Sequence, residues 1–115
     1  MDYWIMLANE IITEATVGTL HLGPIEVRVD DHALDRTKTR GVYPRGVDYT
    51  LKRLSKIINK LEKIEVGQQF WVYDWTSEIS LGLRRVSSDR LVFILKTVYP
   101  ARASRTPNIQ KIIDI

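Results

Sequence analysis

Alternation of apolar and charged positions is clearest at 25–29, IEVRV, where Ile25, Val27 and Val29 point one way and Glu26 and Arg28 the other. A period of two marks a half-buried strand, because successive side chains leave opposite faces of the pleat. The period then lengthens. Asp30 or Asp31 can accept free backbone N–H groups and start a helix, which runs to about Arg40 and is stopped by Gly41. YPRG at 43–46 reads as a loop, with Pro44 and Gly46 as breakers. A second helix is predicted from about Val47 to Ile64. Val47, Leu51, Leu54, Ile58 and Leu61 form its apolar stripe, and Lys52, Arg53, Lys56, Lys60 and Lys63 crowd the rest.

Beyond Gly67 the chain becomes rich in β-branched and aromatic residues. QFWVYDW at 69–75, ISLGLRRV at 79–86 and RLVFILKTVY at 90–99 predict three strands joined by the short polar connections TSE and SSD. IQKIIDI at the end predicts a final strand or a helical turn. At the start, residues 2–15 carry Tyr3, Met6, Leu7 and Ile11 near helical spacing, and VGTLHL predicts a short strand. The expected fold is α+β: an N-terminal helix, a strand, two helices, then an antiparallel sheet of three to four strands. With no repeat, linker or low-complexity tract, residues 1–115 read as one domain.

Composition narrows the chemistry. There is no cysteine, and two histidines are few for a structural zinc site, so neither a metal nor another cofactor is expected. No apolar run approaches a membrane span, and the first residues lack the pattern of a signal peptide, so a cytoplasmic protein is the expectation. Charge is segregated along the chain. Residues 1–35 hold seven acids and one arginine, a net of −6, whereas residues 36–115 hold sixteen basic residues and seven acids, a net of +9. Such segregation fits a phosphate-rich partner, or a solvated surface whose acidic part lies close by and cancels it.

The stretch DHALDRTKTRG at 31–41 concentrates the candidate chemistry. Residues four apart on a helix share a face, so His32, Arg36 and Arg40 form one column, starting where free N–H groups favour anions. Lys38 lies on the same helix. Histidine transfers protons near neutral pH, and the arginine fork binds phosphate bidentately. Together they could cleave RNA without metal: a base deprotonates a ribose 2′-hydroxyl, the oxygen attacks phosphorus, and guanidinium groups stabilise the developing charge. A structural role reads the same residues differently, with His32 bonding backbone or a carboxylate and Arg36 pairing with Asp35.

A second basic group comprises Arg84, Arg85, Arg90, Lys96, Arg102, Arg105 and Lys111, with Asp89 the only acid in 79–113. Arg84 and Arg85 are consecutive on a strand, so only one can face a given cleft. Arg102 and Arg105 could cover the end of the sheet and bind an RNA backbone, or form a solvated tail. Trp71, Tyr73 and Trp75 share one strand face, suited either to core packing or to stacking bases. His21, between Leu20 and Leu22, reads as structural. No Walker, HExxH or nucleophile-elbow pattern is present.

IEVRVDDHALDRTKTRG, a strand leading into an H-x-x-x-R-x-x-x-R helix, resembles the start of the RelE-like small ribonuclease and toxin domains, and within them the RegB-type endoribonucleases of bacteriophages. The similarity spans roughly residues 25–100. It is most specific in 25–40 and is carried further only by SLGLRRV and the basic tail. The resemblance implies metal-independent cleavage of messenger RNA to a 2′,3′-cyclic phosphate by a phage-encoded enzyme. His32 matches the family's principal functional histidine, and Arg36 the arginine after it. The family's second functional histidine corresponds to Ser55. Enzymes of the wider family often use basic residues and a tyrosine instead, which puts Arg84, Tyr99 and Arg102 forward as compensating groups. Arg40, Lys38, Arg85, Arg105 and Lys56 are then the expected RNA contacts. Ser55 also keeps two alternatives open: a non-catalytic module binding RNA, a ribosome or a host protein, and a toxin held by a protein regulator.

Overall fold

Gly23 takes the left-handed conformation, φ +64°, that a two-residue hairpin turn needs at its first position. The turn joins β1 (Thr16–Leu22) to β2 (Ile25–Asp30) as an antiparallel pair in which Leu22 lies opposite Ile25. The structure, a computed structural model, describes residues 16–115. The helix expected over 2–15 lies outside the described residues. In β2 the alternation holds, with Ile25, Val27 and Val29 buried and Arg28 exposed.

Helix α1 (Asp31–Thr39) follows directly. Asp30 is its cap, the carboxylate Oδ1 accepting the His32 N–H at 2.9 Å. Ala33, Leu34 and Thr37 are its buried side, and Gly41 at φ +63° turns the chain out of it.

The second helical stretch departs from expectation. Pro44 begins α2 (Pro44–Lys52) rather than breaking the chain, because its fixed φ suits the first helical position, where no N–H is needed. The helix also does not run unbroken to Ile64. It tightens into a 3₁₀ turn (Arg53–Ile57) and resumes as the short α3 (Ile58–Leu61). In the tighter turn residues three apart eclipse, so Leu54 and Ile57 both enter the core, and Ile58, expected in the stripe, is left half-exposed.

Four more strands follow: β3 (Gln69–Asp74), β4 (Ile79–Arg85), β5 (Leu91–Tyr99) and β6 (Lys111–Asp114). The three middle strands form the expected meander. The antiparallel sheet of three to four strands does not hold, however: the sheet is six-stranded and mixed, in the order β1-β2-β5-β4-β3-β6. β2 pairs parallel with β5, and β6 parallel with β3. Both parallel pairs follow from crossovers, one through the helices and one through the segment after β5.

The helices cover one face of the sheet. Val29, Phe70, Val72, Leu83, Phe93 and Leu95 pack there against Leu51, Leu54 and Leu61. Phe70 meets Phe93 edge-on, with centroids 5.6 Å apart. Trp71 and Tyr73 are buried on the opposite face, while Trp75 is exposed. The chain from β5 to β6 crosses that face over Ser80, whose hydroxyl donates to Ala101 O at 2.6 Å and accepts from Ala103 N at 3.0 Å.

Candidate functional site

The α1 column is built at an unusual place, beside the projecting end of β5. Pairing between β2 and β5 ends at Val29 and Leu95, and α1 takes up the space that a longer β2 would fill. β5 carries a bulge here. Leu95 lies opposite Leu83 but Thr97 opposite Gly82, so Lys96 is an extra residue. A bulge re-aims side chains, and two of them turn to α1. Lys96 Nζ reaches Asp30 Oδ2 at 3.3 Å. Thr97 Oγ1 accepts from Arg40 Nη1 at 3.1 Å. Gly82 makes room, since a Cβ there would stand 2.6 Å from Thr97 Cγ2.

His32 and Arg36 meet as the spacing predicts: Arg36 Nε donates to His32 Nε2 at 3.1 Å. With Nε2 accepting, a neutral ring carries its proton on Nδ1. His32 is exposed and Arg36 half-buried, and among the described residues no bond engages the Nη groups of Arg36. Asp30, beneath them, is pushed up by partial burial, but the His32 amide, Asp31 and Lys96 outweigh this and hold its carboxyl below the usual value. It remains a carboxylate cap across the neutral range.

One turn further, Arg40 donates to Val98 O at 2.9 Å as well as to Thr97, and its guanidinium lies 5.2 Å from the Tyr99 ring centre. Tyr99 is exposed. His32, Arg36, Arg40 and Tyr99 therefore form one patch, with Lys96 beside its start. Lys38 is exposed on the same helix.

The other expected residues lie elsewhere. Arg102 forms a two-pronged ion pair with Asp114, both bonds at 3.0 Å. This pairing raises Arg102 above its ordinary value and lowers Asp114. Trp75 Nε1 donates to the same carboxylate at 3.2 Å. Arg105 Nε donates to Gln110 O at 3.0 Å. Arg84 lies four positions along β4 from Ser80, the neighbour of Tyr99, or about 13 Å at strand rise. Its Nε is buried without a partner among the described residues. Lys56 is exposed in the 3₁₀ turn, next to Ser55, whose hydroxyl donates to Lys52 O at 3.2 Å.

Arg85 is a scaffold residue. Only 7% exposed, it donates to the carbonyls of Ser87, Glu62, Ile64, Ser88 and Arg90. It ties the loops at one end of the sheet and presents no free guanidinium edge to a ligand. Sequence reasoning passed over Asp30 as a lysine partner and Thr97 altogether, and placed Lys96 in the second basic group rather than beside the column. Nothing in their spacing announces them, because the bulge that turns them is a tertiary feature.

No helix among the described residues is long and apolar enough to cross a membrane. The chain matches no family model, no curated protein and no solved structure.

Proposed function

We propose that the chain is a small endoribonuclease of the RegB type, acting on single-stranded messenger RNA through the α1 column. The observation that carries this reading is the order of groups along one exposed helix face. His32 comes first, Arg36 is bonded to it, and Arg40 holds Tyr99 one turn later. A turn rises about 5.4 Å, so a phosphate on the Arg36 guanidinium has His32 beside it and the Arg40–Tyr99 pair a turn further along. In-line displacement needs a base and an acid flanking the phosphate, the roles proposed for His32 and Tyr99. His32 Nε2 takes the 2′-hydroxyl proton once Arg36 turns to the phosphate. The 2′-oxygen attacks phosphorus, Arg36 stabilises the added charge on the non-bridging oxygens, and the leaving 5′-oxygen takes a proton from Tyr99. Lys96, Arg40 and Lys38 supply further positive charge for the flanking phosphates. Every group in the step is a side chain of this protein.

The test is incubation of the purified protein with end-labelled RNA carrying a ribosome-binding sequence. Products ending in 2′,3′-cyclic phosphate, lost in His32→Ala and in RNA with a 2′-deoxy sugar at the cut, support the reading. Absence of cyclic-phosphate products from the unaltered protein rejects it. Ser55, standing where the family has its second histidine, favours a second reading: an RNA-binding module without cleavage. Steeply salt-dependent RNA binding with no products would favour that one.

A further inference from the structure

Tyr43, Gly46 and Tyr49 recur every three residues along the start of α2 and line one groove. Both tyrosines are exposed, at 64% and 42%. Gly46 between them lies so close to the β3–β4 hairpin that a Cβ would come within 2.5 Å of Ile79 Cδ1. The groove floor is therefore flat and apolar. Six residues of helix rise about 9 Å, so the two tyrosines stand at separate levels along the groove, each offering a ring to a planar group.

One of these rings is held in place from below. Arg53 lies with its guanidinium 5.1 Å from the Tyr49 ring centre and donates to the Tyr49 hydroxyl at 3.2 Å. Arg53 Nε in turn pairs at 3.1 Å with Asp74, which is wholly buried. Asp74 also accepts from Thr50 Oγ1 at 3.3 Å and from the Thr76 N–H at 2.8 Å. Thr50 shares a 2.6 Å hydrogen bond with Ser77 on the groove wall. A buried carboxylate thus fixes the cation on one face of an exposed ring, and the groove side of that ring is left for a ligand.

The groove also leads towards the α1 column. A neighbouring hollow shares Tyr43, Ser77 and Ile79 with it and continues to Gly41 and Pro100. These two follow Arg40 and Tyr99 in the chain. The path starts at the α1 column and ends at the two tyrosines, beside Arg45 and the Asp74-paired Arg53; aromatic rings set along a basic path suit a flexible polyanion with exposed bases. Glu78, on the wall of the hollow, disfavours a phosphate there.

We infer that the Tyr43–Gly46–Tyr49 groove is a stacking slot for one unpaired base of single-stranded RNA, a few nucleotides from the phosphate held by the α1 column. This rests on RNA being the partner but not on cleavage. The experiment measures binding of short single-stranded RNAs, and of the same RNAs carrying an abasic position at each site in turn, to the unaltered protein, Tyr43→Ala, Tyr49→Phe and His32→Ala. Tyr43→Ala should weaken binding of intact RNA about 5- to 150-fold, the range for one lost base stack. Tyr49→Phe keeps the ring but loses the hydroxyl to which Arg53 donates, so it should weaken binding, and by less than Tyr43→Ala does. One abasic position should weaken the unaltered protein equally and be indifferent to Tyr43→Ala. Binding that keeps this pattern while no cleavage occurs leaves the slot standing and rejects the nuclease. Equal binding by the unaltered protein and Tyr43→Ala overturns the slot even if cleavage proceeds, as does a failure of any RNA to bind.

Discussion

Arg36 donates its Nε–H to the Nε2 of His32 across a single turn of α1. The one exposed histidine on a helix is thereby joined to the guanidinium that follows it, rather than to backbone or to a carboxylate. The ring nitrogen is held by a group that itself prefers phosphate; in the proposed reaction it is the substrate phosphodiester that draws Arg36 away and frees the base.

Replacing His32 by alanine should therefore lower the cleavage rate about 100- to 10,000-fold, the range for a lost general base. Stability should change by no more than about 0.5 kcal/mol, because the side chain is exposed. Cleavage assays and thermal melts on one preparation check both parts. A large loss of stability would show instead that the histidine is structural.

Arg40 has a different balance. Its guanidinium donates to Thr97 Oγ1 and Val98 O and lies over Tyr99. Arg40→Ala should cost about 1–2 kcal/mol in urea denaturation as well as RNA affinity. Arg40→Lys should recover part of the affinity and little of the stability, since one ammonium cannot reproduce the planar arrangement.

Arg85 should behave as a folding residue alone. Arg85→Ala removes donors from five buried or half-buried carbonyls and should destabilise by about 3 kcal/mol or more. In whatever fraction stays folded, RNA affinity should be unaltered. Binding measured at low temperature, alongside circular dichroism, separates the two effects.

Acid should weaken the fold through Asp30 and Asp114. Both carboxyls lie below the ordinary aspartate value of 3.8 in the folded state, Asp30 through the His32 amide, Asp31 and Lys96 set against its partial burial, and Asp114 chiefly through Arg102. A lowered folded value means that the stabilisation is present above pH 3.8 and is lost as pH falls towards the folded values. Unfolding curves between pH 6 and about 2.5 should steepen downward below about 4. Asp114→Asn should flatten part of that fall, modestly, because the Arg102–Asp114 pair is well exposed.

Much of the α1 column was legible in the letters. Period two in IEVRV, a capping aspartate and a terminating glycine each act within a few residues, so β2 and α1 lie where they were expected. The order of the three meander strands was legible for the same reason. Pairing partners were not. A strand's own alternation says which face is buried but not which strand lies beside it, so the parallel pairs β2–β5 and β3–β6 were invisible. Pro44 was misread because the same fixed φ that breaks a helix interior also begins one. That error hid the three-residue spacing of Tyr43, Gly46 and Tyr49. Lys96 and Thr97 needed the bulge, and Arg85 looked like a ligand contact because burial of a guanidinium among carbonyls leaves no trace in local sequence.

The pairing of β2 with β5 has a consequence for the order in which the molecule assembles. Ile25 and Leu91, the first partners in that ladder, are separated by more than half the chain. Contacts so far apart in sequence close late and slow folding, because a long loop must be ordered first. α1 rests on the projecting end of β5, and Arg40 has no anchor until Thr97 and Val98 arrive. A chain emerging from the ribosome thus carries the letters of its column early but gains the shape of it only once Thr97 and Val98 have followed. For a protein read as cutting messenger RNA, that delay separates the making of the molecule from its first opportunity to act on the transcript being translated.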